Sequence, residues 1–250
     1  MQVDAHFLMF AIPAVILIGL AKGGFSGLGA LATPLLALGI DPVRGAAILL
    51  PILIAQDVVG VAAFRKSWDG TVLAIMLPGA IVGVALGYVF AASVSERAIL
   101  AALGAVSILF GGYRLWADRG HAVAAPSGSP AWVGSLFGVA TGFTSQIAHA
   151  GGPPFQMWVM PRRLPRDVFV GTTAIFFAVL NWIKVPAYVA LGQFSRENML
   201  AALVLLPVAL LASLAGIWLV RKVPVERFYT IIYGLMILAG CKLLWDGLAG

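Results

Sequence analysis

Long apolar runs alternate with short polar stretches along almost the whole chain. The runs fall at about 7–21, 25–39, 44–64, 71–92, 97–116, 131–146, 153–160, 168–191, 198–220 and 226–248. A helix needs about 20 apolar residues to cross a bilayer, so the segments at 25–39 and 147–160 are short for a full crossing. The pattern predicts an all-α polytopic membrane protein with eight to ten membrane segments, two of them short or broken helices.

The composition supports this class of protein and excludes a soluble one. The 250 residues are 61% hydrophobic and 10% charged, whereas soluble domains are about 45–50% apolar and about 25% charged. The membrane segments leave no room for a separate catalytic domain. The net charge of +6 comes from short basic pairs between apolar runs, which is typical of the positive-inside rule. Nucleic acid is therefore not an expected partner.

The sequence contains no strong indication of a signal peptide, a disulfide bond or a metal site. The segment from Met1 to His6 carries Asp4 but no lysine or arginine, unlike a secretory signal, so the first run is predicted to be a retained membrane helix. Cys241 is the only cysteine, so no intrachain disulfide is expected. The three histidines are scattered and lack the spacing of a metal site. No metal or cofactor is predicted.

A weak internal repeat divides the chain into two halves, residues 1–117 and 131–250, joined by a polar linker at 118–130. Each match alone is at chance level, but all follow a common order, which favours a duplication. The matches are Gly19 to Gly23 with Gly138 to Gly142, Pro34 with Pro153, Pro78 and Gly87 with Pro207 and Gly216, Glu96 with Glu226, and Trp116 with Trp245.

The relative direction of the halves depends on whether the two short segments cross the membrane. If they do not, the halves are parallel with four crossings each, and basic residues divide about nine against six. If they do, each half has five segments, the second half is inverted, and the division is ten against four. The larger asymmetry fits the positive-inside rule, so we favour two inverted halves of five segments.

The first candidate site is the glycine-rich junction between the first two runs. Gly23 and Gly24 free the backbone for close approach to a ligand, and a helix starting after them aims N–H groups at an anion. Ser26 could donate a hydroxyl, and Lys22 could supply positive charge. The alternative is small-residue helix packing, with Lys22 extending to the membrane interface.

The second candidate site is the corresponding junction of the second half. Ser145, Gln146 and His149 are unusually polar for a membrane interior, and His149 could bind an oxyanion or carry a proton. Gly151 and Gly152, followed by two prolines, predict a turn and then a helix start. One glycine-rich break in each half points to a substrate site near the bilayer midplane.

The third candidate is a set of polar residues inside two long runs. Asp57 lies in the run 44–64, and Lys184 lies near Asn181 in the run 168–191. Charges at such depth are costly unless paired or hydrated, and they often mark functional sites. Asp57 is the candidate proton-coupling group, and Asn181 and Lys184 are candidate anion ligands. An Asp57–Lys184 ion pair with a purely structural role is the alternative.

At these residues the chain resembles the TauE/SafE family of membrane permeases, often described as sulfite exporters. The resemblance rests on GLAKGGFSGLGALATPLLAL at 19–38, GFTSQIAHAGGPPFQMWVMP at 142–161 and FVGTTAIFFAVLNWIKVPAYVALGQF at 169–194. It covers about residues 10 to 248. The resemblance implies transport of small sulfur-containing anions, such as sulfite or organosulfonates, across the cytoplasmic (inner) membrane of bacteria.

Together, these observations predict a secondary transporter of a small anion rather than an enzyme. The anion would bind between the halves and cross by alternating access. An anion channel or facilitator and a transporter of a small carboxylate stay open, as do an intramembrane enzyme using His149 and Asp57 and a non-transporting assembly factor. The expected partners are the anion, protons as a coupling ion and the lipid bilayer. Homo-oligomerisation is left open, and both termini are expected outside.

Overall fold

The computed structural model describes residues 5–23, 28–91, 95–118, 128–220 and 226–249. In this part of the chain all regular structure is helical. The helices are α1 Ala5–Lys22, α2 Gly29–Ala37, α3 Pro42–Phe64, α4 Gly70–Ala91, α5 Glu96–Asp118, α6 Ala131–Ala148, α7 Gly152–Val159, α8 Arg166–Ala190, α9 Arg196–Val220 and α10 Glu226–Ala249, with a 3-10 turn at Met160–Arg162. The predicted all-α architecture is confirmed.

Six of the described helices are long and apolar enough to cross a membrane, namely α1, α3, α4, α5, α8 and α9. This confirms the prediction of a polytopic membrane protein. The two short segments are also confirmed, because α2 has 9 residues and α7 has 8. At 1.5 Å per residue each is only about half as long as a bilayer core is thick. The linker predicted at 118–130 lies largely outside the described residues.

The tightest helix packing joins the first half, α1 to α5, to the second half, α6 to α10. Helix α4 runs along α6, and α1 runs along α9. Small residues allow these close approaches, because Gly23 lies against Gly216, and Gly142 lies against Ala80. A side chain at Gly142 would overlap the backbone of α4. Small-residue packing, the alternative considered for the first glycine-rich junction, is therefore present at Gly23, and the contact at Gly142 is of the same kind.

Helices that hold equivalent places in the two halves run in opposite directions. Helix α3 lies antiparallel to α8, and α5 lies antiparallel to α10. The contacts that fix these directions are Asp57 with Asn181 and Phe64 with Gly171 for the first pair, and Gly104 with Leu244 and Gly111 with Tyr233 for the second. Parallel halves of four crossings would make both pairs parallel. The geometry therefore requires inverted halves.

The two ends of the bundle carry different charged residues. At one end the loop after α3 packs on the start of α8, where the Asp69 amide donates to Thr172 Oγ1 at 2.8 Å. This end collects Arg65, Lys66, Arg162, Arg163 and Arg166 from the larger predicted basic set. At the other end Arg44 pairs with Glu197 at 2.8 Å. The assignment of the arginine-rich end to the cytoplasm stays a prediction.

Candidate functional site

A cavity of about 110 Å³ lies between the two halves. Its wall is formed by α1, α2, α3 and α5 of the first half and by α6, α7, α8 and α10 of the second. One water needs roughly 10–15 Å³ of such volume, so several waters or one small ligand can be accommodated. The polar residues that line the cavity are Lys22, Thr33, Ser107, Ser145, His149, Gln156, Thr173 and Asn181.

The break between α6 and α7 brings His149 to the cavity. His149 caps the C-terminus of α6 in a left-handed conformation, with φ of 51°. Its amide donates to the carbonyl of Ser145 at 3.1 Å, and the Ala150 amide donates to the carbonyl of Thr144 at 3.2 Å. Glycine usually occupies this position, and a non-glycine residue there costs backbone energy. The imidazole makes contacts with Ala46 and Lys184 that glycine could not make.

The end of α1 brings Lys22 to the same cavity. Lys22 forms an ion pair with Asp57 of α3, and its side chain is only 12% exposed. The second carboxylate oxygen of Asp57 accepts a hydrogen bond from the Asn181 amide group at 2.6 Å. Both oxygens of this buried carboxylate therefore have donors, one from each half of the protein.

Lys184 of α8 is fully buried and forms a second polar cluster beside the cavity. Its Nζ lies 3.1 Å from the Ser145 hydroxyl and 3.3 Å from the Ser145 carbonyl oxygen. The same Nζ lies 2.6 Å from Nδ1 of His149. The other ring nitrogen of His149, Nε2, lies 2.8 Å from the carbonyl oxygen of Ala46. In the described part of the chain, Lys184 forms no ion pair with a carboxylate.

Tyr188 closes this cluster on the side away from the cavity. Its ring stacks on the His149 ring, with centroids 5.9 Å apart and an interplanar angle of 25°. Its hydroxyl donates to the carbonyl oxygen of Gln146 at 2.9 Å. Tyr188 is buried in an apolar cluster with Ala46 and Leu50. These contacts fix the orientation of the histidine ring.

Several predicted site residues meet at the cavity. Lys22, Ser145, His149, Gly152 and Asn181 line it. Asp57 and Lys184 contact these residues from behind the wall. The structure thus brings together residues of α1, α3, α6 and α8 that lie far apart in the sequence.

Other predicted residues lie elsewhere or play different parts. Gly23 packs against α9, Gly151 packs against Thr141, and the Gln146 side chain lies against Gly87. Gly24 and Ser26 lie outside the described residues. Two of the structural alternatives were wrong. Asp57 pairs with Lys22 rather than with Lys184, and Lys22 points into the protein rather than to the interface.

Sequence reasoning missed four polar residues of the cavity wall, Thr33, Ser107, Gln156 and Thr173. Ser107 and Thr173 donate to the carbonyl oxygens of Leu103 and Phe169 in their own helices, each at 2.7 Å. Such residues are common in membrane helices and give no distinct signal. Thr33 carried the best signal, because it is a hydroxyl residue within an otherwise apolar run.

The fold and this site define a polytopic α-helical membrane protein with a buried, charged cavity between inverted halves, as transporters have. The model of the sulfite exporter TauE/SafE family matches residues 11–243. The chain therefore belongs to this family of membrane transporters, as the sequence resemblance predicted. No curated protein and no solved structure matches the chain.

Proposed function

We propose that this protein is a secondary transporter of a small monovalent anion, a sulfur oxyanion or an organosulfonate, and that the anion binds in the cavity between the two helix breaks. The observation that carries the proposal is the charge around this cavity. Lys22 and Lys184 supply two cations, and Asp57 supplies the only carboxylate that contacts them in the described part of the chain.

An anion in the cavity would balance this charge. A buried charge without a counter-ion is costly, and Lys184 is 0% exposed with only neutral partners. Asn181 and His149 face the same space and offer polar groups to an oxyanion. The excess of one positive charge favours a monovalent over a divalent substrate.

The rest of the cavity supports a substrate with an anionic head and a short apolar group. Phe155, Phe169 and Phe177 line the wall beyond the polar residues. The helices α2 and α7 begin at the wall, with Gly29 and Gly152 among the lining residues, so their N-terminal dipoles favour an anion. This arrangement fits an organosulfonate at least as well as sulfite, and a small carboxylate is the competing substrate.

The inverted halves suggest how access would alternate. Substrate sites in such transporters lie at the interface of the repeats, and rocking of one half against the other exposes the site to each side in turn. Here the Arg44–Glu197 pair joins α3 to α9 across the two halves at one end of the bundle. In this proposal that contact breaks when the cavity opens towards that end.

The proposal places the chain in the cytoplasmic membrane of bacteria, with both termini outside. Accessibility reporters at Arg65 and Gly192 test the orientation, since these residues follow the antiparallel helices α3 and α8. We expect the Arg65 reporter on the cytoplasmic face and the Gly192 reporter on the outer face. The reverse result would overturn this orientation while leaving the fold intact.

The function is tested by counterflow in proteoliposomes that contain the purified protein. Vesicles loaded with unlabelled methanesulfonate or sulfite are diluted into labelled substrate, and we expect transient accumulation of label. The Lys22→Gln variant should slow counterflow at least about tenfold, which corresponds to about 1.4 kcal/mol. The matched control is Lys242→Gln, because Lys242 is an exposed lysine paired with Asp246 on the surface of α10.

Three results would contradict the proposal. Flux without counterflow indicates a channel, which does not alternate its access, instead of a carrier. Equal losses in Lys22→Gln and Lys242→Gln would show that the site is wrongly placed. Absence of both flux and substrate-dependent thermal stabilisation for sulfite, methanesulfonate and acetate indicates a protein that does not transport these anions.

A further inference from the structure

The two lysine clusters of the site differ in their capacity to hold an extra proton. We propose that the Lys184–His149 pair, and not Asp57, takes up and releases a coupling proton, so that a monovalent anion and a proton bind and leave together. This inference rests on the proposed transport function and adds the identity of the proton-carrying group.

The hydrogen bonds of His149 fix where its protons lie. The Ala46 carbonyl oxygen is only an acceptor, so Nε2 of His149, 2.8 Å away, must carry a hydrogen. The other nitrogen, Nδ1, lies 2.6 Å from Nζ of Lys184. One proton fits between two nitrogens at this distance, and two opposed N–H groups do not. The pair therefore holds at most one excess proton.

With one excess proton, every polar atom of the pair is satisfied. The three N–H groups of a charged Lys184 meet three acceptors, namely Nδ1 of His149, the Ser145 hydroxyl and the Ser145 carbonyl oxygen. The charge has no carboxylate partner among the described residues that contact it, so an anion in the cavity provides the compensation that the protein lacks.

Without the excess proton, the same contacts are still satisfied. A neutral Lys184 keeps two N–H groups, which can donate to His149 Nδ1 and to the Ser145 carbonyl oxygen. Its lone pair can accept from the Ser145 hydroxyl, which is both donor and acceptor. The pair therefore gains or loses a proton by rotation of one hydroxyl, with no movement of a helix.

Asp57 cannot gain or lose a proton while its contacts stay satisfied. Its two carboxylate oxygens accept from Lys22 and from Asn181. A proton added to Asp57 would neutralise the only counter-ion of Lys22 and leave two unpaired cations beside the cavity. Removing one partner from a buried ion pair is strongly unfavourable. Asp57 therefore acts as a constant counter-ion for Lys22.

The surroundings of the pair contain few other groups that could take the proton. The titratable side chains nearest to it are Lys22 of α1, Asp57 of α3 and Tyr188 of α8. Helices α2, α6 and α7 contain no acidic or basic residue. Because His149 lines the cavity, the pair can exchange protons with water that enters there.

Charge balance then couples the proton to the anion. With an anion bound, the positive charge of the pair is compensated, and the proton is retained. When the anion leaves, the buried charge is uncompensated, and the favourable route is loss of the proton. A monovalent anion and a proton therefore move together, and the transport cycle carries no net charge.

The first experiment needs no variant. Binding of methanesulfonate to the purified wild-type protein is measured by calorimetry near neutral pH in buffers of different ionisation enthalpy. Methanesulfonate stays a monovalent anion throughout this range, so any proton taken up belongs to the protein. We expect uptake of up to about one proton per bound anion. Binding without proton uptake would overturn the inference but leave the proposed transport function intact.

The second experiment uses proteoliposomes with an internal pH indicator and measures the number of protons moved per methanesulfonate. His149→Asn is the test variant, because asparagine tolerates the left-handed backbone and does not titrate. The fully buried Lys184 then stays charged, since it loses the group through which its proton reaches the cavity. We expect the ratio to fall at least about tenfold and the remaining flux to follow the membrane potential. The comparison is the double variant Lys22→Gln/Asp57→Asn, in which flux falls but the proton ratio is kept.

The outcomes separate the two hypotheses. A normal number of protons per methanesulfonate in His149→Asn contradicts the inference. If this number falls in the double variant but not in His149→Asn, the Lys22–Asp57 pair is the proton carrier. Absence of wild-type counterflow with either probe overturns the transport function and, with it, this inference. If His149→Asn fails to fold, the calorimetric result on the wild-type protein decides.

Discussion

Lys22 and Lys184 are both held inside the protein beside the same cavity, but the charges of their partners differ. Lys22 comes from α1 of the first half and pairs with the carboxylate of Asp57. Lys184 comes from α8 of the second half and contacts only the neutral groups of Ser145 and His149. The first lysine is electrically balanced within the protein, and the second is not.

This difference suggests that the Lys22 cluster and the Lys184 cluster have different roles. A balanced ion pair that joins α1 to α3 has one stable charge state, so it can hold the end of α1 in place throughout a transport cycle. An unbalanced cation would respond to the anion that we propose binds in the cavity. Because Asn181 and Lys184 lie one helical turn apart on α8, the two clusters are held at a constant distance from each other.

The largest expected effect comes from removing the carboxylate of the balanced pair. Asp57→Asn leaves Lys22 without a counter-ion in a buried position, which should cost about 3–5 kcal/mol of unfolding free energy. Denaturant unfolding in detergent micelles measures this change. The matched control is Asp246→Asn, which breaks the Lys242–Asp246 pair on the surface of α10 and should cost less than about 1 kcal/mol.

Similar losses in the two variants would contradict the comparison. Such a result would mean that water reaches Lys22 freely and replaces the carboxylate. The balanced pair would then be no more than a surface contact, and the contrast with Lys184 would disappear.

An intermediate effect is expected from Lys184→Met, which removes the unbalanced cation. The loss of its hydrogen bonds leaves Nδ1 of His149 without a donor, which costs about 1–3 kcal/mol. Replacement of a buried amine by an apolar side chain offsets this cost, so the net change should be smaller than that of Asp57→Asn. Stabilisation by methanesulfonate should disappear, because the excess positive charge is gone. The same unfolding assay, with and without methanesulfonate, measures both effects.

Much of this arrangement could be predicted from the sequence. Ten apolar runs gave ten helices, and the glycine-rich breaks correctly indicated two short helices, α2 and α7. The basic-residue count favoured inverted halves, and the helix directions agree. Lys22, Asp57, His149 and Lys184 could be identified because charged or imidazole side chains are rare in such apolar surroundings.

The partners of these residues could not be predicted in the same way. Asp57 faces Lys22 because α1 ends beside α3, and this depends on how closely α1 packs on α9 through Gly23 and Gly216. Lys184 contacts Ser145 because the last turn of α6 packs beside α8. Distances of a few ångströms between separate helices leave no trace in hydropathy, so the sequence predicted the residues but not their pairing.

The smallest expected effect concerns the backbone at His149, the neutral partner of Lys184. His149 and Arg163 both have a φ of 51°, and a left-handed conformation costs a non-glycine residue about 1 kcal/mol or more. His149→Gly and His149→Ala remove the same imidazole contacts, so their difference isolates the backbone term. We expect His149→Ala to unfold with about 1 kcal/mol less free energy than His149→Gly.

Arg163→Gly and Arg163→Ala provide the control for a left-handed residue in the loop before α8, away from the cavity, and should differ by the same amount. A larger difference at His149 alone would show that the break between α6 and α7 is strained by more than its own dihedral angle. Equal stabilities for both His149 variants would instead show that the break adopts another conformation once the imidazole is gone, so that the neutral cluster around Lys184 depends on its side chains and not on the helix end.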